Sequence, residues 1–437
     1  MSHYRQNRRV LRTRREQPGE SYVVGEPMRI AFVGTRGVPA KYGGFETAAE
    51  EIGKRLVQRG HEVTVYCRCE DVDQTEYEGM VLVHLPAARS KFAETLTHTA
   101  LSVLDLVRRR RGTDSVIVFN AANAPLLPVL RAGRMPVAVH VDGLEWQRAK
   151  WSGLGKRYYR AVEALSVRWA DDLIADAAGI QDYYDEEFGA SSRLIAYGAP
   201  ILQDLPSHRL HEVGATEQGY HLVVARFEPE NHVDMIVRGY RASGATLPLL
   251  VVGSSPYGDE YTAQIEQAAE GDPRIRLLGG VWDQELLDQL YAHAATYLHG
   301  HSVGGTNPSL LRAMGAGSAV TAFDVVFNRE VLGSTGRWFR DEADVTAEVE
   351  HTEADLAAAR VRGWKAQLRA EERYDWDVVA EQYEQLCRDL QDGTARRLRR
   401  RASGRRLRRS SPGAQVIPMP LPEQVDAEGL QVADRSG

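Results

Sequence analysis

Twice in this sequence a short apolar run ends on a polar or glycine-bearing loop that leads into a helix. The first run is Ile30-Ala31-Phe32-Val33, closed by Gly34. Glycines follow at Gly37, Gly43 and Gly44, then Ala49, Ile52 and Leu56 recur at helical spacing, and Gly60 stops the helix before Val63 and Val65 alternate. A continuous apolar run reads as a strand buried on both faces, and a parallel sheet covered by helices provides that environment. Strand, loop, helix and strand in this order predict a βαβ unit. Further strands are expected at Val116–Phe119, Pro136–Val141 and Leu173–Ala175, spaced for crossover helices.

The pattern then restarts. His221–Ala225 and Leu249–Val252 read as strands, with Val233, Ile236, Val237 and Tyr240 on one helical face between them. It continues through Ile275–Leu278, a helix carrying Leu286, Leu287 and Leu290, Tyr297-Leu298, and Ala319-Val320-Thr321. The fold class is therefore α/β, with two Rossmann-like, doubly wound domains facing across a cleft. The expected boundaries are 28–198 and 199–375, followed by a closing helix at 376–392. A chain of 437 residues, 43% hydrophobic, is long enough for two cores.

Residues 1–27 and 393–437 lack periodicity and are expected to be disordered tails, the first basic, the second basic then acidic. A net charge of -6 hides arginine-rich stretches at both ends and at Arg108–Arg111. No run of eighteen apolar residues is present, and Glu16 interrupts any secretory h-region, so a cytoplasmic chain is expected. The three cysteines Cys67, Cys69 and Cys387 fit a reducing compartment rather than a disulfide framework. Arg396–Arg409 could hold the chain peripherally on an anionic membrane, and Arg108–Arg111, after the apolar Leu101, Leu104 and Val107, could bring the cleft to the same surface. A solvated tail or nonspecific nucleic-acid binding is the alternative.

Open parallel sheets bind ligands at the carboxyl ends of their strands, so the loops there carry the candidate chemistry. Gly34-Thr35-Arg36-Gly37 through Gly43-Gly44-Phe45-Glu46 lets backbone N–H groups approach an anion at a helix N-terminus. Its spacing matches neither a dinucleotide fingerprint nor a P-loop. Arg226, in Arg226-Phe227-Glu228-Pro229-Glu230-Asn231, places a guanidinium at a strand end, suited to pyrophosphate. Gly304-Gly305-Thr306-Asn307-Pro308-Ser309 starts a helix, with Asn307 as N-cap and Pro308 at N1; Thr306 and Ser309 can add hydroxyl donors.

These separated motifs, in this order, resemble retaining glycosyltransferase family four. More narrowly, Val33 to Thr47 and His140-Val141-Asp142-Gly143-Leu144-Glu145-Trp146 resemble its bacterial rhamnosyltransferase-like subgroup, and the resemblance spans residues 28 to about 390. It implies a GT-B fold and retaining transfer of a hexose or deoxyhexose, rhamnose included, from a nucleotide sugar to a saccharide or lipid-linked acceptor in cell-surface polysaccharide synthesis. The first domain would hold the acceptor. The second would hold the donor, with pyrophosphate between Arg226 and Thr306–Ser309 and the distal phosphate facing Gly43 and Gly44. No metal or other cofactor is implied; Asp71/Asp73 and Asp375/Asp377 are then coincidental pairs.

Three positions depart from the family pattern. Asn231 stands where a lysine usually supports the phosphates, and Gly304 and Arg312 replace two glutamates, one near the donor sugar and one on the ribose hydroxyls. A guanidinium cannot accept a hydrogen bond, so ribose recognition must differ, with Glu330 a candidate substitute. On the acceptor side Asp142, or secondly His140, could orient a hydroxyl and take its proton; a turn-capping role for Asp142 before Gly143 is the structural alternative. Glu145 and Trp146 could line the acceptor subsite or the core. Two other functions remain open: a non-catalytic sugar-nucleotide-binding partner protein, and an NAD-dependent oxidoreductase, for which the fingerprint spacing is absent.

Overall fold

The computed structural model describes residues 26–40, 43–68, 74–88, 94–109, 112–141, 144–147, 153–255 and 259–399. In chain order the elements of the first half are β1 (Arg29–Val33), α1 (Gly44–Gln58), β2 (Glu62–Arg68), β3 (Glu76–Tyr77), β4 (Met80–Leu85), α2 (Glu94–Arg109), β5 (Ser115–Phe119), α3 (Leu127–Ala132), β6 (Val137–His140), α4 (Gly153–Trp169), β7 (Asp172–Ala175), α5 (Ala178–Phe188) and β8 (Arg193–Leu194). They form one sheet in the order β3-β4-β2-β1-β5-β6-β7-β8, parallel except for the β3–β4 hairpin.

The second half contains β9 (His221–Val224), α6 (Val233–Ala242), β10 (Leu249–Val252), α7 (Asp259–Ala269), β11 (Ile275–Gly279), α8 (Gln284–Ala292), β12 (Thr296–His299), α9 (Pro308–Gly315), β13 (Val320–Phe323), α10 (Val326–Leu332) and β14 (Arg337–Phe339). Its sheet, β11-β10-β9-β12-β13-β14, is wholly parallel. In each sheet the order turns back beside the first strand, the doubly wound arrangement expected from the repeated pattern. Strands β3, β4, β8 and β14 were not anticipated. They sit toward sheet edges, and β3, β8 and β14 are only two or three residues long, too short for an alternating signal.

Helices α11 (Glu342–Ala354), α12 (Leu356–Arg373) and α13 (Trp376–Gln391) complete the chain. Asp341 and Asp355 cap α11 and α12, and Asp375 caps α13 by accepting from Asp377 N. Helix α13 returns to the first domain. Trp376 packs under Gly198, Asp377 pairs with Arg55 at 2.8 Å and Asp389 with Arg193 at 2.6 Å. The pair Asp375/Asp377 thus caps a helix and fastens its surface. Residues such as Phe32, Ile52, Leu222, Leu310, Tyr383 and Leu386 belong to one buried cluster that joins a face of each sheet through α13, while the opposite faces have separate cores.

The expected tail at 393–437 requires a correction. Residues 393–399 are part of the folded body: Ala395 is buried, and Arg399 donates to the carbonyls of Val167 and Ala170 at the end of α4. Unsatisfied carbonyls and the negative end of a helix attract a guanidinium, so an arginine-rich stretch with no periodicity of its own is ordered by tertiary contact. Residues 1–25 and 400–437 lie outside the described residues, as do Cys69, Asp71, Asp73, Arg110 and Arg111. Glu26 and Pro27 are exposed and Met28 is buried.

Of the basic run Arg108–Arg111, only Arg108 and Arg109 lie among the described residues. Arg108 and Arg109 end α2 just before β5, at the amino edge of the sheet, whereas ligand-facing loops leave its carboxyl edge. Among the described residues no helix is long and apolar enough to cross a membrane.

Candidate functional site

The carboxyl ends of the two sheets bring the β1–α1 and β12–α9 loops together. Gly43, with φ at 110°, is the N-cap of α1 and supplies no side-chain cap. A Cβ placed on Gly44 would lie 3.3 Å from Pro308 Cγ, so the first turns of α1 and α9 meet in van der Waals contact. Glu46, in the first turn of α1, accepts from Arg36 N at 2.9 Å and fixes the loop. Asn307 caps α9 by accepting from Ser309 N at 2.9 Å, with Pro308 at the first helical position. Two helix N-termini therefore converge from opposite domains, and both favour negative charge.

The surrounding polar groups divide into free and committed ones. Arg226 is exposed, and its guanidinium lies 3.7 Å from Glu228, so it remains accessible beside the cleft. Asn231 is buried. Its amide donates to the Arg226 carbonyl at 2.8 Å, and its oxygen bonds His301 Nδ1 at 2.7 Å, so the side chain pins the Arg226 loop to the β12–α9 loop. Asn231, a candidate donor-binding residue, thus has both its amide and its oxygen engaged within the protein. Thr306 Oγ1 donates to the Asp176 carbonyl at 2.6 Å across the domains, and the Ser309 hydroxyl bonds Tyr291. Their backbones, rather than these hydroxyls, stay at the helix start.

Gly305 lets its loop close on Asp176: an added Cβ would come within 1.8 Å of Asp176 Oδ1. Its neighbour Gly304 has φ at 119°, a backbone state that side chains with a Cβ resist. Arg312 is paired with Asp288 of α8. Glu330 accepts from Ala178 N at 2.8 and 2.9 Å and from Gly179 N at 3.4 Å. Its carboxylate clamps α5 of the first domain instead of standing free for a ribose, a correction to the suggested substitution.

His140 is also reassigned. It is fully buried, its ring packs among Phe45, Phe119 and Tyr197 at 5.2 to 5.6 Å, and Nδ1 faces the Tyr383 hydroxyl at 2.9 Å. Burial lowers its pKa to about 3. A neutral imidazole sealed between the first sheet and α13 positions the interdomain packing and does not meet an acceptor as a solvent-facing base. Asp142, the favoured base, lies outside the described residues. Glu145 is buried, and Trp146 donates to Tyr183 Oη at 3.2 Å under the Arg160 guanidinium. Tyr183 in turn donates to Glu163, whose pKa burial raises to about 7.

Sequence reasoning missed Asp176, His301 and Asp288. Each acts through partners distant in the chain, and no local spacing announces those pairings. Cys67 and Cys387 are buried free thiols whose pKa values burial raises to about 11 and about 12, consistent with a packing role.

Two family models match the chain: residues 28–200 match a domain of unknown function (DUF1972), and residues 219–355 match Glycosyl transferases group 1. Over 138 residues the chain is 29% identical to O-antigen chain mannosyltransferase B of Escherichia coli; the match covers 31% of this chain and 36% of that relative. Among solved structures, sucrose-phosphate synthase from Thermosynechococcus elongatus has a TM-score of 0.72 at 20% identity, covering 83% of this chain and 99% of its own. Anabaena HepE in complex with UDP and with UDP-glucose gives TM-scores of 0.66 and 0.67 at 16% identity, over 82% of this chain and 99% of that one. The fold is GT-B. Fold and domain match together support a glycosyltransferase of the group 1 type, with the group 1 region forming most of the second domain.

Proposed function

We propose that this protein transfers a hexose or deoxyhexose, with retention, from a nucleotide-sugar donor to a saccharide or lipid-linked acceptor in the synthesis of a surface polysaccharide. The observation that carries the reading is the meeting of the α1 and α9 N-termini at Gly44 and Pro308. A leaving nucleoside diphosphate gains negative charge as the glycosidic bond breaks, and preorganised helix dipoles with Arg226 stabilise that charge. The donor would lie mainly on the second domain, its distal phosphate toward Gly43 and Gly44. Neutralisation by the chain itself makes a metal unnecessary in this reading. The likeness to an O-antigen mannosyltransferase favours a polysaccharide acceptor, and HepE's UDP complexes favour a nucleoside-diphosphate donor.

The test incubates purified protein with a panel of UDP-, GDP- and dTDP-sugars, with and without EDTA, and follows nucleoside diphosphate release and the anomeric configuration of any product. Release unaffected by EDTA, with retained configuration, is expected for at least one donor. Binding of a donor without release, with or without saccharide acceptors, would favour the non-catalytic reading, for which the presence of Arg312, engaged by Asp288, in place of a carboxylate on α9 speaks. No binding to any donor overturns both.

A further inference from the structure

Each crossover helix of the first domain delivers its C-terminus to the amino edge of the sheet, away from the cleft, because every parallel strand must restart there. Helix α2 ends at Arg109 before β5, α3 at Ala132 before β6, and α4 at Trp169 before β7. Arginine accumulates on this edge. Part of it serves helix ends: Arg131 donates to the Trp169 carbonyl at 2.9 Å, and Arg399 holds two further carbonyls of the same region. Arg109 pairs with Asp105 at 2.8 Å, and Arg396 lies 3.8 Å from Asp171. Arg108, Arg134 and Arg168 are exposed without an acidic partner among the described residues, and Arg397 donates to the Thr394 hydroxyl.

Helix-end preference alone does not explain the surplus. In the crossover helices of the second domain, Arg241 at the end of α6 donates to the Ala268 carbonyl, α7 and α8 have no basic residue in the last turn, and Arg312 of α9 and Arg329 of α10 are paired. The first-domain edge also carries apolar side chains among its arginines. Leu104, one turn before Arg108, is 56% exposed, and Leu398, beside Arg397, is 53% exposed. Guanidinium groups interleaved with exposed leucine match a lipid interface, where phosphate and acyl chain lie side by side. A duplex phosphate backbone has no use for the leucines.

We infer that this edge is a docking face for an anionic membrane surface. Docked this way, the protein turns its cleft away from the bilayer, so of the acceptors proposed above a soluble saccharide, or the distal end of an extended lipid-linked glycan, is the one that reaches it. The inference is independent of whether the cleft is catalytic.

Vesicle sedimentation at low salt tests it, using the full chain with phosphatidylcholine vesicles that contain or lack phosphatidylglycerol. The full chain should bind only the anionic vesicles. The variant R108Q/R134Q/R168Q/R397Q should bind at least about tenfold more weakly at an unchanged melting temperature, since each basic residue near the surface adds measurably. The charge-conserving L104S/L398S variant should bind severalfold more weakly. Equal binding by the arginine variant, or no binding by the full chain, overturns the inference. So does full displacement of vesicles by a random DNA duplex with L104S/L398S unaffected, which would mark a nucleic-acid surface.

Discussion

Both carboxylate oxygens of Glu330 in α10 accept the backbone N–H of Ala178, at 2.8 and 2.9 Å, and so fasten the second domain to the N-terminus of α5 in the first. Around this bond Phe327 packs on Gly179, and Arg369 donates to the Glu330 and Val331 carbonyls at 2.8 and 2.7 Å. These contacts join the two domains at the carboxyl edge of the first sheet, where α5 follows β7.

Glu330→Ala should lower stability by about 1 to 2 kcal/mol, the cost of removing a charged cap from orphan N–H donors. Glu330→Gln should recover part of it, because an amide oxygen still accepts. Urea denaturation followed by tryptophan fluorescence measures both; an unchanged midpoint for the alanine variant means the clamp adds nothing.

Gly44→Val should separate the two helix starts, since the added methyl groups need the space Pro308 occupies. Affinity for UDP or the preferred nucleoside diphosphate should fall tenfold or more, about 1.4 kcal/mol, with little change in melting temperature. Calorimetric affinity within threefold of the unaltered protein places the anion elsewhere.

Arg226→Ala should remove the accessible cation at the end of β9. Loss of a charge-assisted partner to a bound diphosphate costs on the order of 2 to 4 kcal/mol, so nucleoside diphosphate affinity should drop by well over tenfold. Arg226→Lys should restore only part, having charge without the planar fork.

Glu163 gives a pH signature. Burial raises its folded pKa from 4.5 to about 7, against opposing help from the Tyr183 hydroxyl and Arg160. The stability linked to its protonated form is fully present below about pH 4.5 and is lost as pH rises through about 7. Glu163→Gln should therefore gain on the order of 2 to 3 kcal/mol relative to the unaltered chain at pH 8, and nothing from this source at pH 4. Parallel urea titrations at the two pH values check it; an equal difference at both means Glu163 does not titrate in this window.

The sequence by itself determined the doubly wound halves. A buried parallel strand must be apolar on both faces, and Phe32, Val118, Val139, Leu222, Val251 and Leu298 each carry that requirement locally. It also fixed the α9 start, because Asn307 and Pro308 cap their own helix and need no distant partner. What only the tertiary structure decided is where the polar side chains spend their hydrogen bonds. Asn231 turns to His301, Arg312 to Asp288, Glu330 to Ala178 and His140 to Tyr383. A spacing rule sees residues a few positions apart, whereas these pairs join residues from 24 to 243 positions apart. The same holds for Arg399: its segment has no apolar period, and it folds against the body through the carbonyls ending α4, the burial of Ala395 and the approach of Arg396 to Asp171.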